Sequence, residues 1–251
     1  VNVWTDISYD APCGLPIHLD LLVPESDRPV PVVLMIHGGG WISGDRTMVH
    51  DEARWLAPQG FACACVDYRL APLHPYPAAV EDVRSAIRFL RGAAPEYGLD
   101  AGRVAALGHS AGGHLALTAA LTGAQEERAD AAIAMCPITD LTDPRAQHLA
   151  IAWSFLEQFM GGAFEQQPER WREASPIAHA SDGASPVLLV HGENDDVVPV
   201  AQSRALAQAL RKAGRDVTLL ELLGEMHAFS MPAWLRIRDA YLAFLRRVCA
   251  A

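Results

Sequence analysis

Lysine is all but missing from this chain: Lys212 stands alone against nineteen arginines. It lies between Arg211 and Ala213 in a C-terminal helical run, so neither a phosphate-loop lysine nor a buried Schiff-base lysine has a candidate. Positive charge is short overall. The formal net charge is −10 and no basic cluster offsets it locally, which excludes nucleic acid as an expected partner. No apolar run approaches the length of a membrane span, so no membrane partner is expected either. Cysteine is sparse and unpaired in pattern. Cys13, Cys63, Cys65, Cys136 and Cys249 are odd in number and contain no C-x-x-C. They read as buried free thiols, with Cys63 and Cys65 on one face of one strand, and not as a disulfide framework. A cytoplasmic setting is expected. The opening V-N-V-W-T-D has no basic flank followed by an apolar core, so it reads as no signal peptide. It does not begin with methionine, which leaves room for a segment removed before it. Ten histidines are present, yet there is no H-E-x-x-H and no Cys/His cluster at zinc spacing. Gly38 to Ser43 misses the dinucleotide pattern G-x-G-x-x-G at its last position. No metal and no cofactor is expected.

What is present is an ordinary globular balance, 51% hydrophobic and 20% charged over 251 residues, enough for one domain with a large core. Trp4 to Asp10 and Ile17 to Val23 alternate like two antiparallel strands around a turn. Continuous apolar runs follow: Val32 to Ile36, Phe61 to Val66, Arg103 to Leu107, Ala131 to Met135, Val187 to Val190 and Val217 to Leu222. Such runs suit strands covered on both faces. Between them lie helical stretches, the clearest opened by Pro77 with Val80, Val83, Ile87 and Leu90 on one face. The alternation predicts an α/β fold: a mostly parallel central sheet of about eight strands, helices on both faces, and one domain over residues 1–251. Ile138 to Ser175 departs from the pattern. It has no strand and carries Trp153, Phe155, Phe159, Met160 and Trp171, which reads as a small helical insertion or partial lid. A single long crossover packed into the core is the other reading.

Ser110 sits in G-H-S-A-G-G-H, from Gly108 to His114, where an apolar run meets a helical one. The pattern G-x-S-x-G turns the backbone sharply from strand to helix and exposes the hydroxyl. Gly108 and Gly112 would be small because strand and helix pass closely there. A serine that only caps the helix is the plainer alternative. Ligands of open α/β sheets bind beyond the carboxyl ends of the strands. The residues after the buried runs are therefore telling: His37-Gly38-Gly39-Gly40-Trp41, Ser110-Ala111-Gly112, His191 to Asp196, and Gly224 to His227. A hydroxyl, acids, an imidazole and glycine amides all fall on one rim.

These motifs resemble the α/β-hydrolase fold, in its hormone-sensitive-lipase-like and feruloyl-esterase-like carboxylesterase branch. H-G-G-G-W (His37 to Trp41), D-Y-R-L-A-P (Asp67 to Pro72), G-H-S-A-G-G-H, H-G-E-N-D-D-V-V-P (His191 to Pro199) and Met226-His227 carry the resemblance, in the chain order of the fold. It implies Ser110 as nucleophile, His227 as base and Asp195 as acid, with Asp196 facing solvent or starting the next helix and Glu193 a distant third. It implies Gly39, Gly40 and Ala111 as amide donors to an oxyanion. His37 is expected to brace the glycine loop. Trp41 walls a substrate pocket or is plain core, and His109 and His114 brace loops, with His109 a further pocket candidate. Asp67, Arg69 and Asp82 are expected to form ion pairs or caps behind the site. The implied activity is hydrolysis of small-molecule carboxylic esters, short-chain acyl or acetyl, through an acyl-enzyme. An arylformamidase-type amidohydrolase and a non-catalytic receptor on this fold are the rivals.

Overall fold

Strand alternation sorts the apolar residues of this chain onto two faces of one sheet. The computed structural model describes residues 1–142, 144–181 and 185–249, apart from the side chains of Cys13, Arg145 and Ala146. Cys13, expected as a buried thiol, thus has its side chain outside the described residues. The strands are β1 (Asn2–Asp10), β2 (Ile17–Val23), β3 (Val30–Ile36), β4 (Ala62–Val66), β5 (Leu99–His109), β6 (Ala131–Met135), β7 (Val187–Gly192) and β8 (Val217–Leu222). They lie in the order β1-β2-β4-β3-β5-β6-β7-β8. β1 pairs antiparallel with β2, and β2 with β4; every later pairing is parallel. The expected eight-stranded, mostly parallel sheet is therefore present. β5 is longer than its apolar run because its polar start, Leu99 onward, already pairs with Val30.

The helices are α1 (His50–Leu56), α2 (Ala78–Gly92), α3 (Ala94–Tyr97), α4 (Ala111–Leu121), α5 (Pro144–Gln147), α6 (Ala150–Met160), α7 (Pro168–Glu173), α8 (Ala201–Lys212) and α9 (Met231–Val248). Odd and even strand positions face opposite sides. Val32, Leu34 and Ile36 pack with Val83 and Ile87 of α2, Leu115 of α4 and Leu206 of α8. Val33 and Met35, with Cys63 and Cys65, pack against Leu56 of α1 and Ile237 and Tyr241 of α9. Cys63 and Cys65 do share a face, and both are buried free thiols. Helix α4 is buried at every residue, so it has no solvent-facing stripe; its polar members His114 and Thr118 are bonded internally. No described helix is long and apolar enough to cross a membrane.

The carboxylates near the rim each find donors. Asp82 is 1% exposed and accepts from the Arg69 amide at 2.7 Å and from Arg69 Nε at 2.9 Å. Asp67 pairs instead with Arg46, which also meets Asp6 and Asp20. The residues expected behind the site are thus two separate pairs, tying β4's loop to α2 and to the segment after the glycine loop. Removing the cation from a buried pair strands the carboxylate. Arg69→Ala should cost about 3–5 kcal/mol in urea unfolding, whereas Arg54→Ala, at the exposed pair with Asp51, should cost under about 1 kcal/mol.

Candidate active site

Ser110 occupies the turn between β5 and α4 with φ 58° and ψ −120°. A non-glycine residue at positive φ is strained, and here the surroundings impose it. The Ser110 amide donates to the Met135 carbonyl on β6 at 2.8 Å, and its own carbonyl accepts from the His114 amide at 3.0 Å. A Cβ on Gly112 would lie 2.2 Å from the Ile36 carbonyl oxygen, and one on Gly108 would lie 2.2 Å from that of Gly112. Helix α4 therefore crosses β3 and β5 backbone to backbone. The Ser110 side chain makes no cap bond to its helix, which removes the capping reading. Ala111 opens α4, where no preceding turn supplies its amide with a carbonyl partner.

The glycine loop after β3 turns back tightly: the Gly39 carbonyl accepts from the Ile42 and Ser43 amides, both at 3.1 Å. Gly39 has φ 109°, and a Cβ there would meet Ser43's carbonyl oxygen at 2.1 Å. His37 braces this loop as expected. Its ring stacks on Tyr68 at 4.3 Å and its Nδ1 lies 2.7 Å from the Gly38 carbonyl. Trp41 corrects one expectation. It does not wall the pocket: it is 2% exposed, stacks on Phe159 at 4.3 Å and donates Nε1–H to His114 Nδ1 at 3.3 Å. The physical reason is packing: Phe159 and His114 enclose the indole in the apolar layer beneath the loop. His114, fully buried, passes the link on to the Ala174 carbonyl at 2.8 Å; burial pushes its pKa down to about 4.

His227 comes from the loop between β8 and α9. Asn194's amide donates to the Glu225 carbonyl at 2.9 Å, and Glu225's carboxylate accepts from both the Ser230 amide and hydroxyl at 2.7 Å. Ser230 caps α9, so the loop is held at both ends. His227 Nδ1 sits 2.8 Å and 3.0 Å from the two oxygens of Asp195. Asp195, 9% exposed, also accepts from the Val197 and Val198 amides at 2.9 and 2.7 Å, with His191 Nε2 at 3.2 Å. Burial works to raise its pKa, but the hydrogen bonds from His191, His227 and the two amides outweigh it and hold the carboxyl far below the usual range. Asp196 is exposed, and its contact with this loop is a long 3.4 Å bond from the His227 amide. Glu193 is half-buried and forms no part of the Asp195–His227 pair. His109 lines the cleft, and its Nε2 lies 3.0 Å from the His227 carbonyl. Burial, then the neighbouring His227, lowers its pKa to about 4, so it is neutral near pH 7.

Ser110, His109, His227, Gly39 and Gly40 share one cleft of about 460 Å³, walled by Ile36, Met48, Val49, Met135, Phe155 and Val197. Val197 belongs to the loop already singled out. Met48, Val49 and Phe155 carry no local motif; only packing brings them to the rim. Cys136, a buried free thiol as the sequence suggests, also lies beside the site residues. Its thiol comes within 4.8 Å of ligand atoms of His109 and His227, and likewise of His191 and Asp195. Zinc would need a thiolate there, whereas burial and then Asp195 push the thiol pKa upward. With Asp195 and His227 already bonded to each other, the cluster suits a hydrogen-bonded network.

Residues 19–210 match the BD-FAE family model. Esterase LipC of Mycobacterium tuberculosis is 34% identical over 218 residues, covering 81% of this chain and 54% of LipC. Esterase LipQ of the same organism is 36% identical over 224 residues, covering 84% and 53%. The chain thus spans about half the length of these curated relatives. Among solved structures, Thermogutta terrifontis esterase 2 phosphonylated by sarin aligns with a TM-score of 0.84 at 25% identity, covering 97% of this chain and 95% of that one.

Two measurements test this geometry. Gly112→Ala should lose at least about 3 kcal/mol of stability or fail to fold, because neither backbone can yield. The pH test follows from Asp195. A carboxyl whose folded pKa is depressed adds stability above its unfolded value, about 3.9, and loses it as pH falls from there towards the folded value. The urea-stability gap between wild type and Asp195→Asn should be largest above about pH 5 and narrow steadily as pH drops below about 4.

Proposed function

The chain belongs to the BD-FAE family, and from that membership we propose that it is a serine carboxylic-ester hydrolase working through an acyl-enzyme. One observation carries the reading: Ser110, held at φ 58°, opens onto the same cleft as His227, whose far nitrogen is engaged by Asp195. With Nδ1–H donating to Asp195, Nε2 is the nitrogen left to accept the Ser110 proton. Ser110 Oγ then attacks the ester carbonyl carbon. The amides of Ala111, Gly39 and Gly40 receive the oxyanion, and Asp195 stabilises the imidazolium. Collapse expels the alkoxide, which takes its proton from Nε2. Water, deprotonated by the same nitrogen, releases the acid and restores Ser110. No cofactor enters this cycle.

Short-chain acyl or acetyl esters of small molecules are the proposed substrates, supported by a modest, largely apolar cleft. The two similar M. tuberculosis proteins bear the name esterase, which agrees. In the same reading residues 1–251 form a single domain and 138–175 a helical insertion that partly covers the site, since Phe155 of α6 reaches the cleft. A cytoplasmic location completes it, supported by the buried free thiols Cys63, Cys65, Cys136 and Cys249.

Ser110→Ala should abolish hydrolysis of p-nitrophenyl acetate; retained turnover would remove Ser110 from the nucleophile role. Asp195→Asn should cut kcat by up to about ten-thousand-fold, while Asp196→Asn stays near wild type. The reverse ranking would reassign the acid.

A further inference from the structure

We infer that Phe155 sets the upper size limit on the acyl group the cleft accepts. The inference rests on the ester-hydrolase reading and adds to it a specificity-determining residue from the 138–175 segment. Phe155 and Phe159 are four residues apart on α6, so their side chains share one face. Phe159 is anchored, stacked on Trp41 at 4.3 Å, with its carbonyl accepting from the Tyr76 amide at 2.6 Å. One turn earlier, the Phe155 ring meets the residue before Trp41. Its carbons lie 3.1–3.4 Å from the point a Cβ on Gly40 would occupy. One helical turn is thus clamped onto one dipeptide of the glycine loop, and the half-buried ring is held beside a proposed oxyanion donor.

The side of the reacting carbon that this ring faces follows from proton transfer. The leaving alkoxide must take its proton from His227, so the alcohol portion of the ester lies towards His227 and its neighbour His109. The carbonyl oxygen points at the amides. The acyl substituent takes the remaining side of the cleft, away from His227 and from the oxygen-binding amides. That side is assigned to the wall where Phe155 packs over the Cα of Gly40. A rigid aromatic wall there admits acetyl to butyryl groups and turns longer chains away.

The test is kcat/KM for p-nitrophenyl acetate, butyrate and octanoate with wild type and three variants, Phe155→Ala, Phe155→Leu and Phe155→Trp. Circular dichroism and thermal melts establish that each variant is folded, and Leu retains bulk should Ala fail to fold. Removing the ring should raise the octanoate-to-acetate ratio at least about tenfold, the scale of a hydrophobic pocket contact, with Leu intermediate. Trp should lower the butyrate-to-acetate ratio. A uniform fall for all three esters, with both ratios unchanged, would overturn the assignment and leave Phe155 a packing residue. So would a shift seen only when the alcohol of an acetate ester is varied. If wild type hydrolyses none of the esters, the ester reading itself fails and this inference with it. That outcome is distinct from an active wild type whose chain-length profile ignores residue 155.

Discussion

The rim of this sheet depends on a backbone contact. Helix α4 crosses β3 so closely that Gly112 meets the Ile36 carbonyl with no room for a methyl group. That crossing forces the chain at Ser110 into positive φ. It also presents the first amide of α4 beside the glycine loop that follows β3. The proposed nucleophile and its proposed oxyanion donors are therefore consequences of one close packing event. The cost of the strain at Ser110 is offset by the burial of all of α4, every residue of which is enclosed.

Around that contact, three buried carboxylates are each met by donors. Asp195 is surrounded by two amides and two imidazoles, Asp82 by Arg69, and Asp20 by Arg46 and His50. His109 in the cleft and His114 behind the glycine loop both have pKa values lowered to about 4 by desolvation, so both are neutral near pH 7. This leaves Asp195 as the ionised partner that a developing imidazolium at His227 would meet. An additional positive charge at His109 would oppose that ion, so its burial serves the electrostatics as well as the packing.

The segment between β6 and β7 joins two jobs that the sequence kept as rival readings. Leu156, Phe159, Met160 and Trp171 are buried in the core, as a packed crossover requires. Phe155, on the same helix, reaches the cleft. The two are compatible because Phe155 and Phe159 lie one turn apart on one face, the first against Gly40 at the cleft and the second stacked on the buried Trp41. Trp41 shows the converse. Its position directly after the glycines suggested a pocket wall or plain core, and its ring packs inward against Phe159 and His114.

Strand positions, helix placement and the rim residues after each strand were legible in the chain because they depend on local patterning and on glycines that local steric rules demand. Period-two alternation identified the first two strands, buried apolar runs the other six, and the motif around Ser110 its turn. The order of the strands in the sheet came only from the fold. The resemblance in the sequence already favoured Asp195 over Asp196 as the acid. The fold adds the physical difference between these adjacent carboxylates, since Asp195 meets the Val197 and Val198 amides and His227. Tertiary structure alone brought Phe155, Met48 and Cys136 to the site. Their approach is set by packing between elements far apart in the chain, and no periodicity within any one element encodes a distance across the sheet.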